Sequence, residues 1–356
     1  MEVQSKIRIK DIAERAGVSV GTVDRVIHGR NNVSKLALEK VQKVLDEINY
    51  VPNHYASALA SNKVHKFVAI LPMHEEDSYW ARVEKGLFDG LSRFTDFKIS
   101  FNIFHYDPFN DETFKNECEN LIATRPDAVI IGPIFNHNIM AAFTTRLDEL
   151  EIPFALLDSN WSEFNARTFY GQDSICSGKF AGRVMAMAAG GAPKQIALFK
   201  VLGEGRVASR QQMNREVGFR EYMKTHCPGC EIKEVPLFVY DKKGMQEILK
   251  DFFTANPDVR FALTFNSSIH IIADFLRLEM PEHKHVTLLG YDAVDANVEC
   301  IKNGSADFLI AQHPHAQGLD CFRSMFNSCV LHIPQKRDHY MAIELLMQEN
   351  IDFYID

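Results

Sequence analysis

Residues 8–51 constrain this chain more than any other stretch. Ile9, Ile12, Ala13 and Ala16 recur at i, i+3, i+4 and i+7, the spacing of one helix face, and Gly17 then stops the helix. A second short helix begins at Ser19, whose hydroxyl can accept from the free N–H groups of the first turn, and carries Val23, Val26 and Ile27 inward. After the loop from His28 to Val33, a third helix presents Ala37, Val41, Val44, Leu45 and Ile48 on one face and stops before Val51-Pro52. Three short helices sharing one small core, with a glycine turn between the first two, form the helix-turn-helix unit. That unit places its second helix in the DNA major groove.

The same residues carry a resemblance. Ile9-Lys10-Asp11-Ile12-Ala13-Glu14-Arg15-Ala16-Gly17-Val18-Ser19, then Thr22-Val23, Arg25-Val26-Ile27 and Tyr50-Val51-Pro52-Asn53, closely resemble the start of the lactose-repressor and purine-repressor (LacI) family. Arg25 and the pair Val20-Gly21 are then expected to face base edges, Arg to guanine being the commonest bidentate contact. Ser19, Thr22, Ser34 and Asn53 are expected to hold phosphates or the duplex shape. One departure stands out: Asp24 occupies a position where the family usually has Ser, which puts a negative charge on the DNA-facing helix.

Charge is divided unevenly. Residues 1–66 hold 11 Lys or Arg against 7 Asp or Glu, a net of +4, whereas the remainder holds 28 against 40, a net of −12. Only the head is built for phosphate, and the acidic body should confine DNA binding to it. At 356 residues, 46% hydrophobic and 24% charged, the chain is long enough for two or more domains with a large core. No apolar run reaches the ~18 residues of a spanning helix. Met1-Glu2-Val3-Gln4-Ser5-Lys6 lacks the apolar stretch of a signal peptide, so a cytoplasmic protein without membrane contact is expected.

The seven cysteines are scattered, which in a cytoplasmic chain reads as free thiols. His226-Cys227-Pro228-Gly229-Cys230 has the spacing of a redox dithiol or half a zinc site. No second pair lies near, however, and Pro-Gly is ordinary turn chemistry, so a plain loop is expected. His283-Lys284-His285 and His313-Pro314-His315 read as solvated loop histidines without carboxylate partners, and no metal or cofactor is expected.

Residues 52–63 join head to body. Pro52 can start a helix, and Ala56, Leu59 and Ala60 form one narrow small-residue face, but so short a helix is not stable alone. The family resemblance implies a hinge helix that folds on DNA, pairs with its dimer mate and inserts Leu59 into the minor groove.

From Lys66 onward, short apolar strands at 67–72, 128–131, 153–157, 196–199, 260–264 and 286–289 alternate with helical segments. Continuous apolar runs mean strands covered on both faces, so the body reads as parallel α/β, with ligands beyond the carboxyl ends of the strands. Those ends run into Met73-His74, Gly132-Pro133, Asp158-Ser159-Asn160, Asn266-Ser267-Ser268, Gly290-Tyr291-Asp292 and Gln312-His313-Pro314, polar groups suited to hydroxyls. Ile152 to Asp158, Arg215 to Phe219, Leu289 to Asp292 and Ala311 to Pro314 resemble the effector domain of the same family and the ribose-type periplasmic binding proteins. That resemblance implies two lobes of type I periplasmic-binding-protein form, with ligand contacts at Asp158, Arg215, Asn266, Asp292 and Gln312. Tyr79 and Trp80 match positions where aromatic rings stack on sugar faces, and His74 joins the set as a strand-end polar group. Ser267 departs from the Asp common after that Asn.

No catalytic set competes. Gly203-Glu204-Gly205 lacks the third glycine and the Lys-Ser/Thr of a phosphate loop, and no residue set fills nucleophile, base and orienting roles. The expected organisation is therefore an α/β protein of three parts: a helix-turn-helix head at 1–51, a hinge helix or linker at 52–63, and a two-lobed ligand-binding and dimerisation body at 64–356. The expected function is a non-enzymatic, homodimeric repressor of a pseudo-palindromic operator, controlled by a sugar, sugar phosphate or polyol. A solute-binding protein without a regulatory role is the alternative. The segment Glu344 to Asn350 fits either a domain-closing element or a tail.

Overall fold

A computed structural model describes residues 8–27, 33–48, 50, 54–61, 63–134, 136–202, 209–238 and 241–354; Asn53 and Gly203-Glu204-Gly205 lie outside them. The chain divides into two units, residues 1–61 and 62–356.

In the first unit, α1 (Ile9–Ala16), α2 (Val20–Ile27) and α3 (Lys35–Glu47) bury Ile12, Ala13, Ala16, Val23, Val41 and Val44 against one another. Gly17 ends α1 in the left-handed region, φ +64°, where a Cβ would be strained. The Val18 N–H then reaches back to the Ala13 carbonyl at 3.1 Å, which closes the turn. Ser19 and Ser34 cap α2 and α3, accepting from Thr22 N–H at 3.2 Å and Ala37 N–H at 3.3 Å. Each cap contributes about 1 kcal/mol. A further helix, α4 (His54–Ala60), covers the expected hinge.

The second unit holds two lobes of like construction. The first runs β1 (His65–Pro72), α5 (Tyr79–Ser92), β2 (Ile99–Tyr106), α6 (Asp111–Ala123), β3 (Ala128–Ile131), α7 (His137–Glu149), β4 (Phe154–Leu157) and β5 (Thr168–Gly171). After α8 (Ser174–Ala188) come β6 (Gln195–Leu202), α9 (Arg210–His226), β7 (Glu231–Phe238), α10 (Lys242–Ala255) and β8 (Phe261–Leu263). Then follow α11 (Ile269–Glu279), β9 (Thr287–Tyr291), α12 (Asp295–Lys302), β10 (Phe308–Ala311), α13 (Pro314–Cys329), β11 (Asp338–Tyr340) and β12 (Glu344–Leu346). The sheets have equivalent orders, β11-β5-β4-β3-β1-β2 and β12-β10-β9-β8-β6-β7, and every pairing is parallel except β10 with β12. The stretch Glu344–Leu346 is thus a domain-closing strand, with Leu346 fully buried.

Reading only continuous apolar runs left out β2, β5, β7 and β10 and the three-residue strands β11 and β12. β2 and β7 are edge strands, paired on one side only and carrying polar residues outward, while β5 and β10 are four residues long. The helices that follow β5 and β10 change lobes. α8 packs Ala181, Val184 and Met185 into the second lobe, and α13 lays Phe322 against Phe67 of β1, ring centroids 5.6 Å apart. Small residues let these helices meet closely: a Cβ on Gly178 would lie 1.9 Å from the Arg215 carbonyl oxygen, and one on Gly318 2.1 Å from that of Val83. Among the described residues no helix is long and apolar enough to cross a membrane.

Candidate functional site

In the head, Ser19, Val20, Gly21 and Arg25 stand exposed along the start and outer face of α2, with Thr22 partly covered, while Val23 is buried in the three-helix core. The periodicity that sends Val23 inward turns Arg25 outward. The Ser19 and Thr22 hydroxyls are 2.9 Å apart and Ser34 serves α3 as a cap, so these side chains already have a structural use. Ala56 and Leu59 are exposed on α4.

In the body, the carboxyl ends of β1, β2, β3, β4 and β6 surround a cavity of about 320 Å3. Its first-lobe wall is aromatic and apolar, including Pro72, Trp80, Tyr106, Phe109, Pro133 and Trp161; Asp158 and Ser159 add polar groups. The second lobe supplies Val201, Leu202, Ser209, Arg210 and Gln212. The Arg210 guanidinium lies 3.8 Å from the Trp161 ring centroid, a cation–π contact across the cavity mouth that ties one lobe to the other.

Beneath lies a buried polar network. Arg215 donates to the Phe265 carbonyl at 2.7 Å and to Gln312 Oε1 at 2.5 Å. Gln312 Nε2 donates to Asp292 Oδ1 at 2.6 Å, and Ser267 donates to Asp292 Oδ2 at 2.7 Å. The Arg215 guanidinium also lies 4.1 Å from the centre of the Tyr291 ring. Gln211 Nε2 donates to Asp158 Oδ1 at 3.1 Å and to the Asp158 carbonyl. Tyr79 donates to Gln317 at 2.9 Å.

Burial raises the Asp158 carboxyl above its ordinary value, because desolvation penalises the charge more than the nearby Arg215 and the hydrogen bonds from Tyr79 and Gln211 favour it. Burial likewise pushes Tyr79 well above the usual phenol and Tyr291 up to about 12. Asp158 and Asp292 both adopt left-handed backbone, φ +64° and +66°, a conformation Asp tolerates better than most residues.

Of the residues expected to hold ligand, Trp80 and Asp158 line the cavity, while Tyr79, Arg215, Asp292 and Gln312 belong to the buried polar network around Asp158. Asn266 is nearby but occupied, donating to the Val201 carbonyl at 3.3 Å. Tyr79 is only 8% exposed and serves as a donor in the floor rather than as a stacking ring. His74 does not line the cavity: its Nδ1 meets the Pro72 carbonyl at 2.9 Å and its Nε2 turns toward Glu84. Sequence reasoning missed Trp161, Arg210 and Gln211. Trp161 follows three residues after Asp158 in the same strand-end run, a signal that was available. Arg210 and Gln211 open α9 in the other lobe, and nothing local marks them.

The paired histidines also differ from expectation. His313 meets Glu344 at 2.9 Å, His315 meets Asp89 at 2.7 Å and His285 meets Asp307 at 3.1 Å, so each has a carboxylate that folding brings from far along the chain. Cys227 and Cys230 are free thiols in the turn between α9 and β7, with Gly229 at φ +92°.

Residues 8–53 match the bacterial regulatory proteins of the lacI family, and residues 68–329 match the periplasmic binding protein domain. A crystal structure described as that of a LacI transcriptional regulator from Bacteroides fragilis is 37% identical and superposes with a TM-score of 0.77, covering 82% of this chain and all of that one. The chain belongs to the lacI family of bacterial regulatory proteins. It is a transcriptional regulator with a helix-turn-helix DNA-binding head and a periplasmic-binding-protein-like body. Catabolite control protein A of Streptococcus mutans is 32% identical over 145 residues, 40% of this chain and 42% of that relative, so the match spans less than half of the relative's length. A solute binding protein of Burkholderia graminis in complex with D-arabinose shares the fold, with a TM-score of 0.72 at 15% identity, over 83% of this chain and all of that one.

Proposed function

We propose that this regulator is a cytoplasmic homodimer that binds a pseudo-palindromic operator through its heads and releases or tightens that grip when a sugar or polyol closes the lobes. The division is 1–51 for half-site reading, 52–63 for coupling and 64–356 for effector binding and dimerisation. The observation that carries the reading is the cavity at the strand ends. Its volume of about 320 Å3 sits at the small end of the usual ligand-pocket range. The aromatic face of Trp80 suits sugar C–H groups, and Asp158 suits hydroxyls. Trp161 Nε1, Gln211 Oε1 and Arg215 Nε are buried without a protein partner among the described residues. A hydroxylated ligand would meet both donors and an acceptor. The D-arabinose complex of a protein with this fold points to the same chemical class.

Arg25 and the Val20-Gly21 pair are the base-reading candidates, and Ser19, Thr22, Ser34 and Asn53 the positioning ones. With both small residues exposed, Arg25 carries most of the direct readout. Closure transmits to DNA because a ligand with unequal affinity for two lobe angles shifts the spacing of the hinge segments. The test has two arms. A thermal-shift screen of the full chain against pentoses, hexoses, sugar phosphates and polyols should give one class that raises the melting temperature by mass action. In footprinting, Leu59→Ala should weaken operator binding while leaving non-specific affinity nearly intact. Equal loss of both would remove the hinge role, and no stabilising compound would remove the hydroxyl-reading pocket.

A further inference from the structure

Just outside the cavity, three side chains from separate elements converge on one point. Among the described residues His74, Glu84 and His105 are the one group of three histidine or acidic side chains whose ligand atoms all lie within 4.8 Å of one another. Glu84 Oε2 is 2.7 Å from His105 Nε2 and 3.5 Å from His74 Nε2. The tautomer of His74 is fixed by its other nitrogen, since a backbone carbonyl can only accept. With Pro72 O at 2.9 Å, Nδ1 carries the proton and a neutral His74 turns its Nε2 lone pair toward Glu84. A lone pair facing a carboxylate oxygen is repulsive unless a proton or a metal cation lies between them. Backbone support for the far nitrogen of a histidine is the usual outer-shell device at metal sites, as it aims the ring and raises its basicity.

We propose that His74, Glu84 and His105 bind a divalent transition metal of the zinc type. Two imidazoles and one carboxylate form a common nitrogen and oxygen donor set for zinc, with a fourth position for water. Tetrahedral zinc with bonds near 2.0–2.1 Å separates neighbouring ligand atoms by about 3.3 Å. The two distances to Glu84 bracket that value, and the ligand atoms all lie within 4.8 Å of one another, so side-chain adjustments without backbone rearrangement would complete the site. Side-chain exposures of 12%, 25% and 35% leave it reachable from solvent while partly desolvating the donors.

The placement gives such an ion a structural consequence. His74 lies just past β1, Glu84 is on α5 and His105 is on β2, so the metal would clip the segment between β1 and α5 to the neighbouring strand. That segment leads into Tyr79 and Trp80. It also contains Asp77, which accepts from the Asp295 backbone N–H of the other lobe at 2.8 Å. Fixing it would restrict one side of the cleft. Sequence reading could not find the group, because separations of 10 and 21 residues match no short ligand motif and only the parallel pairing of β1 with β2 brings them together.

The test uses the full chain, stripped with a chelator and reduced, and titrated with Zn2+ by calorimetry and with Co2+ by absorption. One equivalent with micromolar or tighter affinity is expected, giving cobalt d–d bands without a thiolate charge-transfer band. Glu84→Gln and His105→Gln should each weaken it at least tenfold, and a variant with Cys227 and Cys230 both changed to Ser should bind as the parent does. Failure of the parent protein to bind either ion at 100 times the protein concentration would overturn the site whether or not the variants fold. Thiolate bands, or affinity unchanged in both folded variants, would overturn it equally.

Discussion

The two lobes of the body share a topology and hold their equivalent aspartates in opposite ways. Asp158 follows β4 and Asp292 follows β9, and both sit in left-handed backbone. Asp292 is satisfied inside its own lobe by Gln312 and Ser267. Asp158 instead takes Gln211 from α9 across the cleft, with Tyr79 and its neighbour Ser159, at 3.2 Å, on its own side. The same contrast recurs one strand along: Gln312 anchors Arg215 and Asp292, whereas Gln172 donates to the Ala311 and Ala342 carbonyls where the chain changes lobes. A repeated frame has thus yielded one polar half assembled within its own lobe and one half, rich in aromatic rings, whose aspartate also draws a donor from the partner lobe. That asymmetry is what a closing cleft needs.

The largest effect that can break this comparison comes from the helix crossings. Gly178→Ala and Gly318→Ala each drive a Cβ into a carbonyl oxygen of the facing helix, and each should cost about 3 kcal/mol or more in denaturant unfolding. Only Gly178 presses on Arg215, while Gly318 presses on Val83, so only Gly178→Ala should also weaken effector affinity in the folded fraction. Matching losses of affinity would make the two lobes equivalent after all.

Next comes Arg215→Ala, which leaves the Phe265 carbonyl and Gln312 Oε1 without their donor and should cost about 2–4 kcal/mol. Effector response should vanish while DNA binding by the head persists. An unchanged response in transcription or mobility-shift assays would remove Arg215 from the pocket.

Smaller and opposite in sign is Asp158→Asn. Because burial holds this carboxyl above its ordinary value, its charge opposes folding at neutral pH, and that cost fades as pH falls through the raised value. The variant should therefore match or exceed the parent in melting temperature while losing effector affinity. Asp292→Asn, whose two donors lie in its own lobe, should lose stability. Effector affinity of the parent should decline on acidification at a higher pH than an ordinary carboxylate would give. A flat profile down to pH 4 would place the hydroxyl acceptor elsewhere.

Much of this was legible in the chain. The head followed from the spacing of Ile12, Ala13, Ala16 and Val23 with Gly17, because a small three-helix core leaves little freedom in what can point inward. Strand ends such as Asp158, Asp292 and Gln312 were visible as polar residues closing apolar runs. What escaped depends on contacts between distant segments. The Arg210 and Trp161 pair spans two lobes, the partners of His285, His313 and His315 lie at 307, 344 and 89, and Tyr79 is turned from a stacking surface into a floor donor by Gln317. His74, an expected ligand residue that does not line the cavity, is held by a carbonyl two residues back, a local bond that periodicity does not report.

The most direct measurement exploits a coincidence of composition: the chain has 2 tryptophans, Trp80 and Trp161, and both line the cavity. Intrinsic tryptophan fluorescence of the full chain therefore reports on the cleft. Titration with the compound that most stabilises the protein should give a saturable change with the same midpoint as its effect on operator affinity, and Asp158→Ala should abolish both. A compound that shifts operator affinity while the tryptophan signal stays flat would mean that the effector binds elsewhere.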